Sequence, residues 1–288
     1  FYMDAANPGA FPYSAWRPVI GNQAGGDLIG VCAGQYGNPD EFKPSLLSEN
    51  AEDEMDLSVR NWFYRFSPVK FSSTESAGGY VTNLGDDILF DYDDTFTVDA
   101  WIRPAAPECR DDPDNCTYVS PATDGQMNLI GQFSNTWETD NGWRVVVQKP
   151  QNLLTPGDTR PGQPCRFYTE MKDRQGSIKH EYNCRTNDVM PIGRWHHIAL
   201  VYQGQNQSQP TMKLYVDSQL QQTTYACSFD CTTFDEANFI ENVLASIGGR
   251  DWPNRDFTQR AWFIGDISLI RVYDRALSEL EIRDNMAS

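Results

Sequence analysis

Residues 261–288 read AWFIGDISLIRVYDRALSELEIRDNMAS, and this closing stretch decides the fold. Ile264, Ile267, Leu269, Ile270, Val272 and Tyr273 are apolar or β-branched and spaced for a strand buried on at least one face. The alternation slips near Leu269–Ile270, which predicts a bulge or burial on both faces. Ser278-Glu279-Leu280-Glu281 fits a capping box, so Ser278 should cap a short helix running through Ile282 and Asn285. Asp266 stands early in the strand. An acid there is either a surface residue of an edge strand or a metal ligand.

Two earlier segments alternate in the same way. In 96–104 (FTVDAWIRP), Phe96, Val98, Ala100 and Ile102 point one way and Thr97, Asp99 and Trp101 the other. Residues 194–202 (RWHHIALVY) are apolar on both faces and predict a central strand. Residues 213–217 (KLYVD) belong to a following hairpin of 212–216 with 219–223. A second hairpin joins 166–171 to 178–183 through a turn near Arg174-Gln175-Gly176-Ser177. Further short strands are expected at 28–31, 79–83, 88–90, 128–133 and 143–148. Roughly twelve short strands with regular turn signals spell an antiparallel sandwich. Residues 35–56, which end in the acidic run ENAEDEMD, read as an exposed loop or short helix. They and 104–125 are expected insertions in one domain spanning 1–288, because no interior linker has the composition of a boundary.

The chain has 288 residues and a net charge of −17, with 40% hydrophobic and 22% charged residues, which describes a globular chain rather than a disordered one. The charge argues against nucleic acid and anionic membrane surfaces, and is compatible with cations, neutral glycans or basic proteins. No apolar run is long enough to span a bilayer. The chain starts without Met or a basic-then-apolar leader, which fits a mature form whose targeting peptide has been removed.

Seven cysteines pair by spacing. Cys109 with Cys116, Cys227 with Cys231, and Cys165 with Cys184 across the second hairpin would form three local disulfides, leaving Cys32 over. Zinc competes with this reading, but no CxxC pair exists and the histidines lie elsewhere. Disulfides place the chain in an oxidising compartment, secreted or lumenal. Asn115-Cys116-Thr117 and Asn206-Gln207-Ser208 fit glycosylation acceptors.

The closing stretch, with 96–104 and 194–217 in that order, resembles the laminin-G-like modules of the concanavalin A-like superfamily. Residues 1–16 (FYMDAANPGAFPYSAW) resemble the first strand of those modules. The resemblance implies an all-β, two-sheet antiparallel jelly-roll sandwich with loop insertions and a short C-terminal helix. It also implies a structural calcium held by Asp266 in the last strand and by carbonyls near Met3 or Asp4. Calcium takes roughly six to eight oxygens, so one carboxylate, carbonyls and water suffice. Glu54-Met55-Asp56 resembles the first half of the catalytic E-x-D-x-x-E run of sandwich glucanases, but Val59 stands where the general acid belongs.

His196 and His197 are neighbours on a strand, face opposite ways, and read as satisfied structural residues. His180 is isolated. No nucleophile elbow or HExxH is present. The acidic stretches 85–87, 91–94 and 111–115 read as solvated loops, with 111–115 the place to look for a second metal. Trp101 and Trp195 are expected in the core. Trp137, Trp143 and Trp252 lie in or beside polar loops near Arg250, Asp251 and Asn254, where an exposed indole can stack on a sugar ring or anchor a protein contact.

The sequence therefore predicts a non-catalytic recognition module, calcium-stabilised, that binds a carbohydrate or a protein surface without inserting in a membrane. The fold also hosts lectins, adhesion domains and glycan-cleaving enzymes, so two other readings stay open. One is a structural subunit of a larger extracellular or lumenal assembly. The other is a polysaccharide-cleaving enzyme, for which Glu138, Glu170 and Glu181 are the acids to test.

Overall fold

A computed structural model of the chain describes residues 2–4, 15–16, 26–32, 44–48, 62–66, 69–70, 76–82, 90, 94–104, 126–135, 140–148, 164–175, 178–185, 190–191, 194–204, 211–221, 245–249 and 263–287. The first strands are β1 (Tyr2–Asp4), β2 (Ala15–Trp16), β3 (Gly26–Cys32), β4 (Ser45–Ser48), β5 (Trp62–Phe66), β6 (Val69–Lys70) and β7 (Ser76–Thr82). The middle of the chain supplies β8 (Thr95–Pro104), β9 (Gln126–Asn135), β10 (Asp140–Gln148), β11 (Pro164–Gln175), β12 (Ile178–Arg185) and β13 (Met190–Pro191). Then come β14 (His196–Gln203), β15 (Thr211–Val216), β16 (Gln219–Leu220), β17 (Ser246–Ile247), β18 (Gly265–Tyr273) and one helix, α1 (Glu279–Ala287).

The strands form two antiparallel sheets. Sheet A runs β16-β15-β14-β8-β18-β5-β4, with β1 also beside β18. Sheet B runs β12-β11-β10-β9-β17-β7-β3-β2, with β13 on β11 and β6 on β7. The closing strand β18 lies inside sheet A. One edge pairs with β8, and the other is shared: β5 takes Gly265–Ile267 and β1 takes Leu269–Arg271. The opening residues thus join the last strand in one sheet. Against β8 the register shifts between Ile267 and Leu269, which accommodates Ser268 as an extra residue and explains the slipped alternation.

Period-two alternation sends one face of each sheet to the common interior. Phe96, Val98, Ala100 and Ile102 of β8 meet Ile198, Leu200 and Tyr202 of β14 and Ile267, Ile270 and Val272 of β18. Sheet B supplies Trp143, Val145, Val147, Leu129, Ile130, Ile247 and Val81. Each Val, Leu, Ile or Phe side chain among these contributes about 1.5–3 kcal/mol on burial. Phe90 stacks on Phe96 at 4.2 Å, with Trp143 tilted beside both. Gly248 sits where the chain crosses from β17 toward β18. Its φ is 78°, and a Cβ there would run into the Phe66 ring. Only glycine meets both conditions.

The β15–β16 hairpin turns through Asp217 and Ser218, both left-handed at φ 49° and 57°, as a two-residue turn that follows the sheet twist requires. Asp217 pins that turn to β14. Its Oδ1 accepts the His197 N–H at 2.9 Å, and its Oδ2 meets His196 Nδ1 at 2.9 Å. Burial works to raise the Asp217 pKa, but the His196 and His197 hydrogen bonds outweigh it and hold the carboxyl below its ordinary value.

Four expectations change. Residues 45–48, inside the supposed exposed insertion, form β4 on the edge of sheet A. Trp143 is fully buried in the core and is no ligand platform, because the polar Asn141-Gly142 pair before it already belongs to β10. Trp101 and Trp195 are only half-buried and lie outside the main core. The hairpin turn is where the sequence placed it, but Cys184 stands opposite Thr169 while Cys165 stands opposite Met190. Four residues of offset separate the two cysteines by about 13 Å along the strands. A disulfide needs Cα atoms within about 7 Å, so that pairing fails. Cys109, Cys116, Cys227 and Cys231 lie outside the described residues, and Cys32 stands opposite Ala77.

Candidate functional site

Three polar clusters lie on the outward faces of the sheets. The first surrounds Asp266, which is 2% exposed. Register places it between Arg103 of β8 and Arg65 of β5. Arg65 donates through Nε to Oδ1 at 2.8 Å and through Nη2 to Oδ2 at 3.2 Å. Arg103 donates through Nε to Oδ2 at 2.8 Å, with Nη2 at 2.7 Å. The Arg103 guanidinium also lies over the Trp195 and Phe63 rings, at 4.9 and 5.0 Å. Both Asp266 oxygens thus face cations, a setting that does not fit calcium. Nor does the partner strand help: Asp4 stands opposite Leu269, three positions from Asp266. Asp266 is a cross-strand ion-pair acceptor, which corrects its reading as a calcium ligand.

The second cluster lies where α1 covers sheet A. Asp99 is fully buried and accepts from Arg271 Nε through Oδ1 at 2.7 Å. Its Oδ2 accepts from Asn285 Nδ2 of α1, which also reaches the Tyr273 hydroxyl at 3.0 Å. Arg271 Nη2 donates to the Asn285 carbonyl at 2.7 Å. Burial, and then the Asp99 charge, push the Tyr273 phenol up. His197 Nε2 lies 3.6 Å from Asp99 Oδ1, too far for a hydrogen bond, and neither ring nitrogen has a partner among the described residues. The two histidines do point to opposite faces, but only His196 is satisfied. The capping box forms as expected: the Ser278 hydroxyl accepts the Glu281 N–H at 3.3 Å, and the Glu281 carboxylate accepts the Ser278 N–H at 2.8 Å.

The third cluster is a row across sheet B. Asn183 of β12, Glu170 of β11, Arg144 of β10, Gly131 of β9 and Ser246 of β17 stand opposite one another in register. Arg144 and Ser246 sit one position from core-facing Val145 and Ile247, so the row occupies the face turned away from the core. Arg144 is 9% exposed and donates to Asn128 Oδ1 at 3.2 Å, within the same face. Ser246 donates to the Gly249 carbonyl at 2.7 Å. Gly131 is required here, because a Cβ would meet the backbone of Trp143 and Arg144.

Glu181 stands opposite Lys172, one row along from Glu170. Diagonal cross-strand positions are about 7–8 Å apart, a spacing within the range of an inverting carboxylate pair. The charges around them oppose that chemistry. Each position has a cationic neighbour across the strand, Arg144 for Glu170 and Lys172 for Glu181. A cation favours the ionised carboxylate, whereas a general acid must hold its proton.

The remaining site residues are only partly placed. Residues 136–139, with Trp137 and Glu138, fall between Asn135 and Asp140 at one end of β9, outside the described residues. Arg250, Asp251, Trp252 and Asn254 are also outside them. Of the residues flanking these four, Gly248 N–H donates to the Leu129 carbonyl of β9 and Phe263 N–H to the Gly248 carbonyl. The sequence reading missed Arg65, Arg103, Asn128, Arg144, Ser246 and Asn285. The available signal was a charged residue inside an apolar strand, as Arg144 is between Trp143 and Val145. Among the described residues no group of His, Cys, Asp and Glu side chains forms a metal site, and no helix is long and apolar enough to cross a membrane.

Residues 75–283 match the Laminin_G_3 family model, described as concanavalin A-like lectin/glucanases superfamily. No curated protein matches the chain. Among solved structures it is similar to the native heptameric SAP-like pentraxin from Limulus polyphemus, at 15% identity over 66% of this chain and 68% of that one, with a TM-score of 0.39. It is similar to the CBM40 of the Ruminococcus gnavus IT-sialidase bound to alpha2,3 sialyllactose, at 16% identity over 67% and 83%, with a TM-score of 0.41. It is also similar to the binding domain of Paraclostridial Mosquitocidal Protein 1, at 14% identity over 99% of this chain and 51% of that one, with a TM-score of 0.47.

Proposed function

The chain belongs to the Laminin_G_3 family of the concanavalin A-like lectin/glucanase superfamily, and from that premise we propose that it is a non-catalytic recognition module that binds carbohydrate across the outward face of sheet B. The observation that carries this is the row of positions Asn183, Glu170, Arg144, Gly131 and Ser246, which stand opposite one another over five adjoining strands. Amide, carboxylate, guanidinium and hydroxyl residue types suit the hydroxyls of a sugar chain. A net charge of −17 favours neutral glycans over polyanions. Two things disfavour catalysis: the cation beside each carboxylate position, and the departure at Val59 from the glucanase run. The cysteine spacing of 109–116 and 227–231 supports an oxidising, secreted or lumenal location.

A glycan array tests the proposal. The wild-type protein should bind a neutral oligosaccharide class, and Glu170→Gln should weaken that binding about tenfold with an unchanged melting temperature. An array with no binding, together with co-purification of a stoichiometric protein partner, would replace carbohydrate with a structural role in an assembly.

A further inference from the structure

Two polar atoms on the inward face of sheet B lack a partner, and they belong to neighbouring side chains. Trp143 of β10 and Gln132 of β9 stand directly opposite one another in register. Opposite residues of an antiparallel pair share a face, and Trp143 lies in the main core, so Gln132 also faces inward. Trp143 is fully buried and Gln132 is 7% exposed. Trp143 Nε1 and Gln132 Oε1 are both shut off from solvent, and neither has a hydrogen-bond partner.

Their chemistry is complementary. An indole N–H only donates, and a carboxamide oxygen only accepts. Yet the two do not bond to each other. The Phe96 and Phe90 rings lie beside the indole at 5.2 and 6.0 Å, and Phe96 in turn packs on Tyr202 at 5.4 Å. A swing of the indole toward the amide would break these ring contacts. Each orphaned group costs free energy in the interior, and here the cost falls twice at one spot. Directly opposite side chains leave their strands about 4.5–5.5 Å apart. A molecule that accepts a bond of about 2.9 Å from one group and donates an equal bond to the other spans roughly 4.6 Å. Water does both, and a close-packed interior has few voids for anything larger. Buried waters typically bridge polar groups that would otherwise be unsatisfied.

We propose that Gln132 and Trp143 form an internal water site, in which one water accepts from Trp143 Nε1 and donates to Gln132 Oε1. The site lies one position along from Gly131 and Arg144 on the same two strands, but on the opposite face. It therefore stands apart from the recognition proposal, and loss of glycan binding would leave it untouched.

Water-selective nuclear Overhauser spectra of the ¹⁵N-labelled full chain test it. Trp143→Phe removes one indole N–H and so identifies that resonance among the eight tryptophans. In the wild type this proton should show a cross-peak to water, with the sign of a bound water that leaves slowly. Gln132→Met keeps the length of the side chain and removes the acceptor, and the cross-peak should be lost. A wild-type indole proton without a water cross-peak would overturn the proposal. So would a cross-peak that survives unchanged in Gln132→Met. If that variant does not fold, a crystal structure of the wild type decides. A water within about 3.2 Å of both atoms supports the site, and a direct bond from Nε1 to Oε1, or no water between them, overturns it.

Discussion

The outward faces of the two sheets both carry polar clusters, and they use that polarity differently. On sheet A each buried acid among the described residues is answered within the chain. Asp266 has two guanidinium groups under aromatic rings, and Asp99 has Arg271 and the end of a helix. On sheet B the polar positions line up as one row across five strands, with charges of both signs at neighbouring positions. A buried charge is therefore weak evidence for a site. When its partners close around it, it fixes register and docking. On sheet B the members of the row whose burial is described, Arg144, Gly131 and Ser246, are buried as well.

Sheet A is the place to break this comparison first. Asp99→Ala strands the Arg271 side chain, 8% exposed, beside an imidazole and under a helix. Removing one member of a buried pair costs about 3–5 kcal/mol, so urea unfolding should shift by that amount. A shift within experimental error would mean the cluster is solvated. Asp266→Ala should cost less, about 1–3 kcal/mol. Its partners, Arg65 at 32% and Arg103 at 21% exposure, can turn to water. If Asp266→Ala proves worse than Asp99→Ala, burial of the partner is not what separates the two clusters.

A smaller effect belongs to the helix cap. Ser278→Ala should cost about 1 kcal/mol, read as faster exchange in the first turn of α1. Arg275 and the two Ser278 donors hold the Glu281 carboxyl down to about 2. Because that pKa is depressed below its ordinary value of 4.5, the contribution of the cap is complete above about pH 4.5 and fades as the pH falls toward 2. First-turn protection that fell off between pH 7 and 5 would contradict this. The smallest change is expected at His197. His197→Leu removes two unpartnered nitrogens and should leave stability within about 1 kcal/mol of wild type, on the stabilising side. A large loss would show that the imidazole is satisfied after all.

Much of the fold was legible because its signals are local. The period of β8, the two-faced run of β14, the slip in β18 and the box at Ser278–Glu281 each lie within about ten residues, and each formed as read. What failed depends on partners far away in sequence. Nothing near Asp266 announces Arg65, 201 residues earlier, or Arg103, 163 earlier. Trp143 sits beside a polar pair that looks like a loop, yet in register it faces Gln132 and the core. The 166–183 hairpin was placed correctly, but β11 begins earlier and gives its first residues to β13, which no local pattern encodes. The row on sheet B has the same character, since each of its members looks ordinary in its own strand.

One measurement tests the functional account most directly. The oligosaccharide bound in the array is incubated overnight with wild-type protein, Glu170→Gln and Glu181→Gln, and new reducing ends are counted. Saturable binding by the wild type, weakened in Glu170→Gln, with no new reducing ends in any sample, is the predicted result. Reducing ends released by the wild type and abolished in either variant would contradict it, and would make the sheet B row an active site.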